Sequence, residues 1–404
     1  EYLAIAVIAA AVAYCVWLLF YRPFDFFRDF TELGFEQISN KRKYGSDAKK
    51  RYIINECRNR REIGDLPPVY PNGWFAILES DEVLKSTVKE VDVLGLNLVV
   101  WRGESGKCYV SDAYCPHLGA HLGVGGLGNF EGCSGKLVSI PNVNPVPPFA
   151  NLKMWPVFEA YGFVYIWHHA ENEEPSWWPD AVPEVESGQW KYRGRSVFRV
   201  ACHIQEIPEN GSDSAHFNVV HSSPFTTGSN PDESQLKKNF IKHVWSASWA
   251  PNSDLDRKHE ALMRVTHFIK LFNKISCFHF TVDVHQIGPG IVLMYFETVL
   301  GKGILIQNVT PLEPMLQRVM HRFYSSPTFL HPIALLIMYG EVVQISKDIR
   351  IWNRKKFLRN PVFTKEDKQI RAFRRWYSQF YSENSLKWLP NTGSTLRHEK
   401  LYYK

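Results

Sequence analysis

A chain of 404 residues, 45% hydrophobic and 14% aromatic, is long enough for two ordinary domains and too apolar for general disorder. Its net charge of +6 is modest for that length, so it gives no argument for a nucleic-acid partner and suits a surface near anionic lipid or an acidic redox protein. Seven cysteines scattered from Cys15 to Cys277 exclude a secreted disulfide framework and fit reduced thiols facing the cytosol.

The first element is a run from Tyr2 to Tyr21, twenty residues without a charge, about the length that spans a bilayer as a helix. Arg22, Arg28 and the cluster Lys41, Arg42, Lys43 follow it, while only Glu1 precedes. The positive-inside rule then leaves the body of the protein in the cytosol. A cleaved signal peptide is the competing reading, and the apolar stretch is long for one. Residues 22–66 are polar and charged and read as a linker or helical collar. From Pro67 the texture turns to β, with WFAIL (74–78), VDVLGLNLVVWRG (91–103), KCYVSDAYC (107–115) and YGFVYIWHH (161–169) broken by Gly, Asp and Ser. NVNPVPPFAN (142–151) is a Pro-rich loop between them. A small β-domain over 67–170 is therefore expected.

A second domain, 171–404, mixes strands (FRVACHI, CFHFTVDV, GIVLMYFETVLG, GILIQNVTP) with helical stretches expected at 314–324 and 341–358. The apolar run 329–340 carries a Pro and is too short to span a bilayer, so it reads as a buried helix or a membrane-dipping surface.

Two constellations carry chemistry. ENGSDSAHFNVVH places Asn210, Asp213, His216 and His221 within twelve residues, just after a strand. Two imidazoles and one carboxylate leave open positions on iron(II) for O₂ chemistry, and Asp348, four residues after Gln344 on a predicted helix, can supply the carboxylate. The bland alternative is a pair of hydrogen-bonded histidines, and a zinc hydrolase is a third reading. The other constellation is CPHLGAHLGVGG at 115–126, where Cys115 and His117 form half of a Rieske ligand set: two Cys on one iron, two His on the other.

NGWFAILES (72–80), DAYCPHLGAHLGVGG (112–126), NGSDSAHFNVVH (210–221), KDIRIWNRKKF (347–357) and QIRAFRRWYSQFY (369–381) lie in order over nearly the whole chain. Together they resemble the membrane-anchored Rieske oxygenases of sterol metabolism, the cholesterol 7-desaturases, and more distantly the bacterial ketosteroid hydroxylases. The resemblance implies an α+β architecture: a transmembrane helix at 1–21, a collar, an all-β Rieske domain and a helix-grip-like catalytic domain with an antiparallel sheet. It also implies O₂-dependent 7,8-desaturation of cholesterol, as in steroid hormone biosynthesis, or hydroxylation of a sterol. His216, His221 and Asp348 match the catalytic iron ligands, and Asn210 a neighbour of the iron. Asp213 matches the carboxylate that bonds a cluster-ligating His of a neighbouring subunit, in a homotrimer. Cys115 and His117 match the first Cys–His pair of a [2Fe–2S] cluster. Electrons are expected from NAD(P)H through a separate reductase, since no flavin or dinucleotide fingerprint occurs here. The resemblance places the protein in the endoplasmic reticulum membrane with its catalytic body cytosolic.

One departure stands out. The family's second Cys-x-x-His segment is missing: GGLGNFEGCSGKLVSIPN runs from the glycine loop straight into the following strand. Cys133 falls near the place of a third ligand, and Lys136 stands where the second His belongs, an ammonium that cannot ligate iron. Either a short internal segment has dropped out of an intact enzyme's sequence, or the chain is a cluster-deficient sterol-binding or regulatory variant.

Overall fold

A computed structural model describes residues 2–35, 38, 46–125, 129–139, 151–222 and 241–388. The Pro-rich loop, apart from its last residue, and the basic cluster at 41–43 lie outside the described residues. The uncharged N-terminal run forms helix α1 (Tyr2–Phe20), which exposes Ile5, Ile8, Val12 and Leu19. The expectation of a spanning helix needs correction: among the described residues, no helix is long and apolar enough to cross a membrane.

The next segment is more than a linker. FDFFR becomes strand β1 (Phe24–Arg28), which pairs in parallel with a strand of the second domain, and Asp47–Asn59 becomes helix α2, its Ser46 hydroxyl accepting from Lys49 N. The β-domain then follows, built from two three-stranded sheets. One is β2 (Gly73–Glu79), β8 (Val157–Ala160) and β9 (Phe163–His168); the other is β3 (Val88–Val93), β4 (Leu96–Arg102) and β5 (Cys108–Asp112). A small hairpin, β6 (Asn129–Phe130) and β7 (Leu137–Ser139), completes it. Leu98, Val100, Cys108 and Val110 alternate inward from β4 and β5 to make its core.

The second domain is an eight-stranded sheet. Its members are β1, β10 (Lys191–Val200), β11 (Ile241–Pro251), β12 (Glu260–Leu271), β13 (Ile275–Ile287), β14 (Ile291–Thr298), β15 (Gly301–Glu313) and β16 (Leu316–Ser325). Their order is β1-β10-β16-β15-β14-β13-β12-β11, antiparallel throughout except for β1. The stretch 314–324, expected to be helical, is therefore the strand β16. Its alternation decides the matter: Val319, His321 and Phe323 face one side, while Arg318, Met320 and Arg322 face the other.

The β-domain packs on that other side. The buried Arg318 guanidinium donates to the carbonyls of Ala76 (3.1 Å) and Ile77 (2.7 Å), and Arg322 donates to Gly162 O at 2.7 Å. The opposite face carries the helices: α3 (Glu206–Ser212), α4 (Ser214–Val220), the long α5 (His331–Trp352) and α6 (Lys368–Tyr377). The apolar run 329–340 is the first half of α5. Val342, Ile345, Ile349 and Trp352 press α5 onto Phe198, Val200 and Val319. Phe373, Trp376 and Tyr377 seat α6 over Trp249, Met263 and Val284. This fixes the helices that carry the site on a rigid platform.

A candidate mononuclear iron site and an incomplete cluster loop

Asp213 separates α3 from α4. Its carboxylate accepts from the backbone N–H of Ala215 (3.1 Å) and His216 (3.2 Å), an N-cap that starts α4. Five residues on a regular helix turn through roughly 500°, which would set His216 and His221 about 140° apart. His221 escapes this as the residue that ends α4, with φ −101° and ψ 9°, so its ring swings back to lie 5.1 Å from that of His216. The indole N–H of Trp245 on β11 bonds His221 O at 3.3 Å, and Asn218 exchanges two hydrogen bonds with the Trp245 backbone, at 2.8 and 3.0 Å. That pins α4 to the sheet.

The third group arrives from α5. Asp348 Oδ2 is 3.2 Å from His221 Nε2, and the ligand atoms of His216, His221 and Asp348 all lie within 4.8 Å of one another. No other group of three or more His, Cys, Asp or Glu converges in this way among the described residues. Hydrogen bonds set the tautomers. His221 Nδ1–H donates to Gln344 Oε1 at 3.0 Å and His216 Nδ1–H to Asp213 O at 2.5 Å, which leaves both Nε2 lone pairs for a metal. Burial lowers the His216 pKa, opposed by the Asp348 charge, and so favours the neutral imidazole that ligation requires. Two neutral imidazoles and one carboxylate with open positions are the donor set of a non-haem iron(II) oxygenase, and these residues fit that metal. Asn210 Nδ2 donates to His216 Nε2 at 3.1 Å, so it borders the coordination position itself.

Gln344 is the residue the sequence reading left without a role. It also accepts from Lys347 Nζ at 3.1 Å. Its signal was its place one turn before Asp348, since residues four apart share a helix face. Glu209, just before Asn210, is held by both arms of Arg374 from α6 (2.7 and 2.9 Å), which fixes α3.

The cluster loop is different. Cys115 is half-buried and His117 exposed, on a loop closed by Cys115 N–H to Ala120 O at 2.8 Å. Cys133 lies elsewhere: its sulfur is 4.0 Å from Tyr109 Oη, near the start of β5, while Cys115 lies past that strand's other end. Among the described residues, no group that includes Cys115, His117 and Cys133 converges. His121, which follows, is committed locally: Nδ1 accepts from Gly123 N–H at 3.2 Å and lies 3.7 Å from Glu90. Lys136 is exposed and its backbone bridges Asn151. Four protein ligands are needed for a [2Fe–2S] centre of this type, and the residues present do not fit it.

Comparison with known proteins gives these two regions their place. Residues 73–150 match the Rieske [2Fe-2S] domain, and residues 166–381 match the 3-ketosteroid 9alpha-hydroxylase C-terminal domain. The fold is that of dicamba monooxygenase, at a TM-score of 0.59 with 14% identity over 78% of this chain and 98% of that one. The chain is therefore a Rieske-type non-haem iron oxygenase, an oxidoreductase whose class uses a [2Fe–2S] cluster and a mononuclear iron. A cholesterol 7-desaturase of Bombyx mori is 40% identical over 388 residues, covering 93% of this chain and 83% of its own length. The counterpart in Drosophila melanogaster is 38% identical, covering 92% and 89%. The chain belongs to the cholesterol 7-desaturase family.

Proposed function

We propose that the chain is the oxygenase of an O₂- and NAD(P)H-dependent 7,8-desaturation of cholesterol, the activity for which its relatives are named. The observation that carries this is the convergence of His216, His221 and Asp348 within 4.8 Å in a family whose members act on cholesterol. Those three side chains would hold Fe(II), which supplies O₂-activating chemistry when bound. Asp213 and Gln344 hold the two ring protons at Nδ1, so that both Nε2 atoms face the metal. Asn210 borders the position next to His216, and the Phe217 ring lies 4.1 Å from that of His216, with Trp245 beside it. A separate reductase delivers the electrons. A homotrimer, with Asp213 turned toward a neighbouring subunit, is the assembly this reading carries.

The same reading places the protein on the endoplasmic reticulum with its body in the cytosol. It is supported by the exposed apolar side chains of α1 and by Arg22 and Arg28 just after it. Sterols reside in bilayers, so attachment keeps the site near its substrate. Protease added to intact microsomes digests residues 30–404 if this orientation holds, and leaves them protected if it is reversed.

The decisive test inserts the relatives' Cys-x-x-His segment after Gly126, supplies that chain with Fe(II), a Rieske reductase, NAD(P)H and cholesterol, and resolves the products by mass. A product lighter by two hydrogens is expected, and a product heavier by one oxygen assigns a sterol hydroxylase instead. The ligand set around Cys115 and His117 favours a second reading, a sterol-binding or regulatory protein without turnover. Tight cholesterol binding with no product assigns it.

A further inference from the structure

The strand register brings one end of the catalytic sheet together. The β12–β13 turn, the β14–β15 turn, the close of β16 and the starts of β10 and β1 all lie at that end. His331, which opens α5, bonds Arg22 O at 2.8 Å, so α1 leaves the body from the same place. Large apolar side chains project there: Ile275 is 59% exposed, Phe278 75%, Val299 102% and Leu330 57%. Solitary exposed apolar residues are ordinary, but a group at the tips of adjacent turns marks a contact surface.

Two further observations say what kind of surface. Phe272, in the β12–β13 turn, and Phe278, at an irregularity of register just inside β13, both have positive φ, 50° and 53°. A bulky residue with such a φ is strained, and at both exposed positions Asn or Gly would adopt it at no such cost. Around these tips stand exposed cations: Arg22, Lys191, Lys274 and Lys302. One acid among them, Glu297, is already paired with Lys302 at 3.3 Å. Apolar tips ringed by basic side chains match an anionic lipid surface: the tips enter the acyl boundary and the cations meet the headgroups.

We propose that this end of the catalytic sheet is a second membrane contact, which docks the body itself onto an anionic bilayer. It rests on the reading of α1 as membrane-attached and goes beyond it. Docking fixes the tilt of the body, so that the start of α5 and the sheet beside it open toward the lipid that holds the sterol.

The test uses the full chain on vesicles of phosphatidylcholine with phosphatidylserine. Flotation reports attachment, and hydrogen exchange reports which amides the lipid covers. Protection at 271–279 and 298–302 on vesicles, relative to the chain in detergent-free buffer, is expected, with Leu262 and its neighbours at the sheet's other end unchanged. Phe278→Asp with Val299→Asp replaces two exposed side chains, and it should lose that protection while α1 still floats the protein. Flotation with α1 covered and both turns exchanging freely overturns the proposal but leaves attachment by α1 standing. Absence of flotation overturns both. Turn protection that appears without lipid and grows with protein concentration assigns the surface to a second copy of this chain and overturns the proposal too.

Discussion

Gln344 shows how much of a metal site lies outside its ligands. Its amide oxygen accepts the His221 Nδ1 proton at 3.0 Å, and that single bond decides which ring nitrogen meets the metal. His216→Ala or His221→Ala should abolish stoichiometric Fe(II) binding, measured by anaerobic titration. Gln344→Leu should keep all three ligands yet weaken affinity by roughly 10- to 100-fold, the usual effect of losing such a partner. Unchanged affinity in that variant would refute the tautomer assignment. A second buried group gives a pH test. Glu341, two turns before Asp348, sits with Oε1 3.3 Å from His321 Nδ1 and accepts from Ser196 Oγ at 3.1 Å. Burial pushes its carboxyl up from 4.5 to about 8, and pushes His321 down from 6.5 to about 3. Between pH 4.5 and 8 the native Glu341 keeps a proton that the unfolded chain has released, so its contribution falls as pH rises through that window. Above pH 6.5 the neutral His321 adds no further slope, so unfolding measured from pH 6.5 to 8 isolates the carboxyl. The native chain should lose stability over that range, and Glu341→Gln should flatten the loss; an equal slope in both would assign it elsewhere. The His pair and the late Asp were legible in the sequence because their residue types are chemically restricted. Glu341 and His321 were not, since their meeting depends on how α5 lies across β16.

Asn353, at the end of α5, ties three elements together. Its amide N–H groups donate to Phe30 O (3.2 Å) and Leu33 O (2.9 Å), and its oxygen accepts from Ala201 N–H at 2.7 Å. Asn353→Ala strands three buried backbone groups, which should cost about 3 kcal/mol in chemical denaturation. Because Asp348 lies just over one turn away, Fe(II) affinity should fall with it; a loss of stability with affinity intact would show that the collar does not position the triad. Element by element, legibility followed pattern. Strands such as WFAIL and VDVLGLNLVVWRG were plain because β-branched and apolar residues alternate between turn residues. QRVMHRFYS misled because Arg318 and Arg322 look solvated, yet they are the groups that bond the carbonyls of the β-domain across the interface. FDFFR looked like linker because it is short and its partner, β10, lies 170 residues on.

At the scale of the whole molecule, the two halves are unequally equipped. The catalytic half brings its three metal-binding side chains together; the β-domain keeps its sheets and its first Cys–His pair, but among the described residues no further pair of Cys or His side chains converges on Cys115 and His117. Each iron of a Rieske centre needs two protein ligands besides the bridging sulfides, so the His-ligated iron would retain only His117. The exposed loop around His117 offers no shelter from water for a site left open in this way. Purified without modification, the chain should therefore contain about one iron and no acid-labile sulfide, and show no Rieske electron paramagnetic resonance signal. Inserting the relatives' Cys-x-x-His segment after Gly126, where the glycine loop ends, should restore sulfide, signal and product formation together. The β6–β7 hairpin begins just beyond that point, at Asn129, so the insertion lengthens a connection between elements and leaves both sheets in register. If the unmodified chain carries sulfide and the signal, the missing ligand is present after all. His121 is then the first residue to replace, because its Nδ1 contact with Gly123 N–H leaves Nε2 open to a metal.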